Sequence, residues 1–321
     1  MHKLNKFLLS LFIFSLLACA KEDKKEEEIA KIPVEMKVER FDQRFANATA
    51  DSLPALKRDF PFLFPRQYPD ILWVEKMNDS IQLELNEAVA EEFPQFEETE
   101  EELERLFQHI KYYFPDTKVP KVITLTSDVD YRNQVVYADS LLLIGLDTYL
   151  GREHPLYMGM QDYIKKHLQK DQITADVAEA FAQTVVPRPS SRSFLMHMVY
   201  YGKILTLQDF LIPFKTDAQK ISYLPEDLEW AKDNEEQIWR YFVERELLYS
   251  SDSDLQTRFL FPAPFSKFYL ELDAEAPPRL GQYIGWQIVR QYMEKNDISI
   301  EEMINADAET IFKQSNYKPR K

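Results

Sequence analysis

The chain has 321 residues, 54 acidic against 39 basic, one cysteine and only 6 glycines. So little glycine, about 2% against the usual roughly 7%, argues against phosphate-cradling loops, dinucleotide fingerprints and multi-glycine oxyanion loops. The formal charge of −15 argues against nucleic acid as a partner, and a lone cysteine excludes internal disulfides and cysteine-rich zinc or iron–sulfur sites.

In chain order, the first signal is the apolar run Phe7 to Ala18 behind Lys3 and Lys6. It has the pattern of a signal-peptide core and is too short to span a bilayer. It ends in Leu16-Leu17-Ala18-Cys19, which resembles a bacterial lipobox. The expectation is cleavage before Cys19 and acylation of its thiol, because two or three acyl chains anchor a protein effectively irreversibly. Residues 1–18 are therefore read as a lipoprotein signal peptide and 19–33 as a charged tether, Lys21 to Glu28 being wholly charged. Residues 34–321 are read as a single globular domain. The expected place is the cell envelope, held to the membrane by lipid, with the outer membrane preferred over the inner and the leaflet left open.

Pro54, Pro61, Pro65 and Pro69 punctuate short helices, and a longer helix is predicted over Ser80 to Glu92. Glu97 to Tyr113 is predicted as another, with Leu103, Leu106, Phe107 and Ile110 at helical spacing behind a glutamate run that suits a helix N-terminus. The period then changes. Lys121 to Thr126, Val135 to Tyr137 and Leu141 to Leu146 read as short strands. Helices return after Gly151. Thr174 is expected to cap one that carries Val177, Ala178, Phe181 and Val185, and a second places Phe194, Met198, Tyr201, Gly202 and Leu205 on one stripe. A third repeats Gly281, Ile284, Gly285, Ile288, Val289 and Tyr292, its glycines suited to a close helix contact. The class is α+β, predominantly helical with a small β-sheet.

Catalytic chemistry finds little support. His109, His154, His167 and His197 include no pair four residues apart, so no HExxH metal helix exists. A G-x-S-x-G elbow is also absent. No cofactor or metal is implied. Phe265, Lys267, Phe268 and Tyr269, framed by Pro262 and Pro264, suit either a partner groove or a core-packing loop. Asp51-Ser52-Leu53, Asp79-Ser80-Ile81 and Asp139-Ser140-Leu141 resemble a three-residue O-glycosylation sequon.

Denser runs carry a family resemblance. Phe194 to Leu205 (FLMHMVYYGKIL), Asn234 to Trp239 (NEEQIW), Ala263 to Tyr269 (APFSKFY), Ile284 to Val289 (IGWQIV), Leu146 to Gly151 and Tyr317-Lys318-Pro319 resemble the gliding-motility lipoprotein GldB family of Bacteroidetes. One departure is Pro277-Pro278-Arg279-Leu280-Gly281, where that pattern puts a glycine directly after proline. The resemblance implies a non-enzymatic envelope lipoprotein that serves gliding and the linked type IX secretion apparatus through protein–protein contacts. The order of a small sheet and then two helices also resembles zincin-type metallopeptidases. That alignment implies a degenerate metal site in which Ala178 and Ala182 stand at the histidine positions, Glu179 is kept, and Tyr201 replaces an acidic ligand. A residual metallohydrolase and a surface ligand-binding lipoprotein stay open as alternatives.

Overall fold

The computed structural model describes residues 24–138, 140–270 and 273–320. The signal run, Cys19 and Asp139 lie outside the described residues.

Residues 24–29 are helical, and Ile29 is buried. The first half then runs β1 (Val38–Arg40), α1 (Phe41–Ala46), α2 (Leu53–Asp59), α3 (Asp70–Met77), α4 (Ser80–Glu92) and α5 (Glu97–Tyr113). Both long helices begin and end where the sequence predicts. Asp79 caps α4 by accepting from the Ile81 and Gln82 amides, and Glu97, Glu98 and Glu100 occupy the first turn of α5, where the positive end of the helix dipole favours them. Leu103, Leu106, Phe107 and Ile110 are fully buried, as their spacing requires.

The sheet consists of β1, β2 (Lys121–Leu125), β3 (Val135–Ala138) and β4 (Leu141–Gly145) in the order β1-β2-β4-β3. β2 lies parallel to β1 and β4, and β3 pairs antiparallel with β4 at the edge. Strand alternation sorts its residues between two cores. Val122, Leu142 and Ile144 join the main core. Ile123 joins a second cluster with Phe41, Phe45, Phe60 and Phe64 from the proline-punctuated segment, and Leu141 and Leu143 pack against it. Both faces of the sheet are covered, which explains why KVITL and LLLIG are apolar almost throughout rather than alternating.

The second half is α6 (Asp162–Lys165), α7 (Ile173–Val185), α8 (Phe194–Leu211), α9 (Asp217–Lys220), α10 (Pro225–Asp233), α11 (Glu235–Glu244), α12 (Asp254–Phe259), α13 (Leu280–Lys295), α14 (Ile300–Asn305) and α15 (Ala308–Ser315). α7 differs from expectation at its start. A 3-10 turn over Lys170–Gln172 feeds straight into it, Gln172 occupies the cap position, and Thr174 instead donates its hydroxyl to Glu102 of α5 (2.7 Å). α8 is the central helix, buried on several sides. It meets α13 so closely that a Cβ at Gly202 would strike the Gly285 carbonyl, and one at Gly285 the Met198 carbonyl.

Candidate functional site

Two places on the molecule collect the residues that the sequence singles out. The first is a pocket of about 600 Å³ between the edge of the sheet, α6, α7 and the turn before α13. Tyr131, Gln134 and Val135 line one side, Tyr163 and His167 another, and Ser222, Pro278 and Arg279 close it. Asp176, Glu179, Ala180 and Gln183 supply the α7 wall. The helix divides at this point: Ala178 and Ala182 face the core and are fully buried, whereas Glu179 faces the pocket. The structure therefore brings Glu179 to a cavity but does not bring Ala178 or Ala182 there. Tyr201, partly buried on α8, is close enough that the Glu179 charge helps burial to push its pKa up to about 12.

The electrostatics of this pocket are those of charge held away from water. Burial raises the pKa of Glu179, against the lowering influence of Arg279 and a hydrogen bond from the Gln183 amide (2.9 Å). Burial also pushes Asp176 up to about 7, although its carboxylate accepts from the Tyr149 hydroxyl (2.8 Å) and the Gln172 amide (3.2 Å). His167 is held neutral: burial, then Arg279 and Lys166, lowers its pKa to about 2. Arg279 donates to the Ser222 carbonyl (2.6 Å), while its buried Nε has no hydrogen-bond partner, and neither does the Gln134 Nε2. Orphaned donors of this kind cost roughly 1–3 kcal/mol each when nothing meets them. A ligand carrying both hydrogen-bond donors and acceptors would suit these carboxyl groups and amides. Among the described residues, no group of three or more His, Cys, Asp or Glu is arranged to hold a metal ion.

Other histidines have local partners. His109 is buried between the Arg105 carbonyl (2.8 Å) and Glu26 (3.2 Å), His154 accepts from the Leu156 amide (3.3 Å), and His197 lies 3.4 Å from the Gln256 amide.

The second place is the segment Phe265 to Tyr269. Phe268 is buried against Tyr241, Phe242 and Phe259, with ring centroids 5.0, 6.3 and 5.0 Å away. Ser266 is buried as well and accepts from the Leu280 amide (3.2 Å). Lys267 and Tyr269 are exposed, and Phe265 is partly buried. Asp273 clamps the turn by accepting from the Phe268 and Tyr269 amides (3.0 and 2.7 Å). Tyr269 adopts φ +62°, a conformation that L-residues rarely take. Its ring is flanked by Lys267 Nζ (4.9 Å) and the Arg258 guanidinium (4.5 Å). The segment is thus both core-packed and surface-presenting, residue by residue. Arg258 and Asp273, which hold it, carry no sequence signal beyond their charge.

A helix-dominated α+β chain with a small mixed sheet, a polar pocket and a presented aromatic turn defines the class. The chain matches the family described as Gliding motility protein GldB over residues 22–319, nearly its whole length, and belongs to that family. No curated protein and no solved structure is significantly similar to it.

Proposed function

We propose that this protein is a non-enzymatic lipoprotein, anchored through Cys19, that supports gliding motility and the linked type IX secretion apparatus by contacting other envelope proteins. The observation that carries the reading is the family match over residues 22–319, with the lipobox-like Leu16 to Cys19 directly before it. Phe265, Lys267 and Tyr269 are the proposed contact surface, with Phe268 as its core anchor: exposed aromatic and cationic groups on a clamped turn suit partner recognition. The outer membrane is the proposed site. Deleting the gene in a gliding relative should abolish colony spreading and impair secretion of type IX cargo. Normal spreading together with normal secretion would contradict the reading.

The pocket favours a second reading, a ligand-binding lipoprotein. Glu179, Asp176, Arg279 and Gln134 offer acceptors and donors beside Tyr131 and Tyr163, the composition of a site for a polar small molecule. A thermal-shift screen of sugars, amino acids and short peptides tests it. The expected result is stabilisation by one class that Glu179→Gln abolishes, and no stabilisation by any would count against it.

A zincin-like ancestry belongs to the proposal too, supported by the order of sheet, α7 and α8 and by Glu179 at a cavity. Stoichiometric zinc in the purified protein, lost in Glu179→Ala, would replace the non-enzymatic reading by a metallohydrolase.

A further inference from the structure

The charged run behind the lipobox does not stay clear of the globule. Within it, residues 24–29 form a helix that lies against the C-terminal half of α5. Lys25 Nζ sits 4.9 Å from the Tyr113 ring centroid and 5.6 Å from that of Phe210. Glu26 meets His109 at 3.2 Å, Ile29 is 1% exposed, and the Gln108 amide donates to the Ala30 and Ile32 carbonyls (3.2 and 3.3 Å). The chain is therefore fastened to the body from Lys25 onward.

That fastening limits reach. From Cys19 to Lys24 is five residue steps, at most ~18 Å even fully extended. A compact body of about 300 residues has a radius of gyration of roughly 19 Å and is about 50 Å across. An acyl-anchored Cys19 therefore cannot present an arbitrary face of this protein to the bilayer; the face must be the one where the chain enters.

We propose that the C-terminal ends of α5 and α8, with the docked segment, form the lipid-facing pole of the anchored protein, seated on phospholipid headgroups. This inference rests on the anchoring reading above. The chemistry of the pole fits an interface: Tyr112 is 40% exposed, packs edge-on to Tyr113 at 5.0 Å, lies 6.0 Å from Lys25 Nζ, and follows Lys111 in the chain. Tyrosine and lysine are residues that settle at headgroup depth. α5 is also charge-graded. Its own glutamates crowd the opposite end, with Glu98 about 21 Å along the helix from Tyr112, so the acidic groups at the pole include Glu26, Glu27 and Glu28 of the docked segment, set among Lys24, Lys25 and Lys111.

α8 then acts as a spacer. Phe210, at its lipid-facing end, is about 24 Å along the axis from Phe194. Phe194 packs on Phe242 and Phe259 (5.2 and 5.8 Å), the same rings that support Phe268. The clamped Tyr269 turn is thereby carried away from the bilayer, where an envelope partner can reach it.

Full-length protein, lipidated in a bacterial host and reconstituted in phosphatidylethanolamine–phosphatidylglycerol vesicles, tests this. A fluorophore is attached at Tyr112→Cys, Lys24→Cys or Tyr269→Cys, and lipids with nitroxide headgroups are added as quenchers. The expected result is several-fold stronger quenching at 112 and 24 than at 269. Equal quenching, or stronger quenching at 269, in protein that floats with the vesicles would overturn the orientation while leaving the anchor intact. Wild-type protein that fails to float would overturn the anchoring reading and this inference with it.

Discussion

Arg279 occupies a left-handed conformation, φ +59°, at the position before α13, a region that favours glycine. A non-glycine residue there costs on the order of 1 kcal/mol. What the arginine supplies is a guanidinium that reaches Ser222 and lowers the pKa of both Glu179 and Asp176. Arg279→Gly and Arg279→Ala both lose that group, but only alanine keeps the backbone cost. Arg279→Gly should therefore be the more stable of the two by about 1 kcal/mol in urea denaturation; equal stability would contradict the strain. Asp176 and His167 in the same pocket give opposite pH limbs. His167, neutral down to about pH 2, penalises the fold increasingly as pH falls below about 6.5, because the unfolded chain protonates there. Asp176, with a folded pKa of about 7 against about 3.9 unfolded, contributes stability that is complete below about pH 4 and lost as pH rises through 7. Glu179 is shifted in the same direction. Between pH 5 and pH 8, Asp176→Asn should lose less stability than wild type, by on the order of 2–3 kcal/mol. Parallel losses would refute the burial of charge at Asp176.

Among the elements, the crossing of α8 and α13 holds the largest commitment. Gly202 and Gly285 let the backbones touch, and a Cβ at either would collide with main chain rather than with a side chain that can swing aside. Gly285→Ala should cost roughly 1–3 kcal/mol or more, read as a drop in Tm, and an unchanged Tm would mean the helices sit farther apart. Arg290 of α13 ties the same pair to α9. It donates to Asp209 (2.6 and 2.7 Å) and Asp217 (2.9 Å) and stacks 3.7 Å above the Trp286 ring. Removing Arg290 leaves Asp209 and Asp217 to share the Lys220 ammonium (3.0 and 3.6 Å), with the Trp286 indole still donating to Asp209, so Arg290→Met should cost roughly 1–3 kcal/mol, and Asp209→Asn should recover part of it in the double variant. The sequence makes the glycine contact legible because both residues fall on apolar stripes of period 3.6. It does not reveal the Arg290 network, since ion-pair partners on α8, α9 and α13 share no period. The start of α7 departs from the sequence expectation for a related reason: Thr174 looks like a cap, but its hydroxyl is taken by Glu102 of α5.

At the scale of the whole molecule, the elements could be read because burial imposes a period on each, while the pocket could not. Tyr131, His167, Glu179 and Arg279 come from four separate stretches of chain, and only folding brings them together. Of these, the sequence singles out Glu179 as a site residue, through a resemblance rather than through spacing. The turn at Tyr269 was half legible: its aromatic residues are visible in sequence, but which of them pack and which are presented depends on Asp273 and Arg258. The tether likewise reads as solvated charge until Ile29 and Glu26 are seen docked on α5. The central claim is that a folded, lipid-anchored globule serves gliding, and it is tested most directly by complementing a deletion strain of a gliding relative with wild type or with Cys19→Ser and measuring colony spreading. The account predicts that wild type restores spreading and that Cys19→Ser, made in folded form but released from membranes, does not; spreading restored equally by both would contradict it.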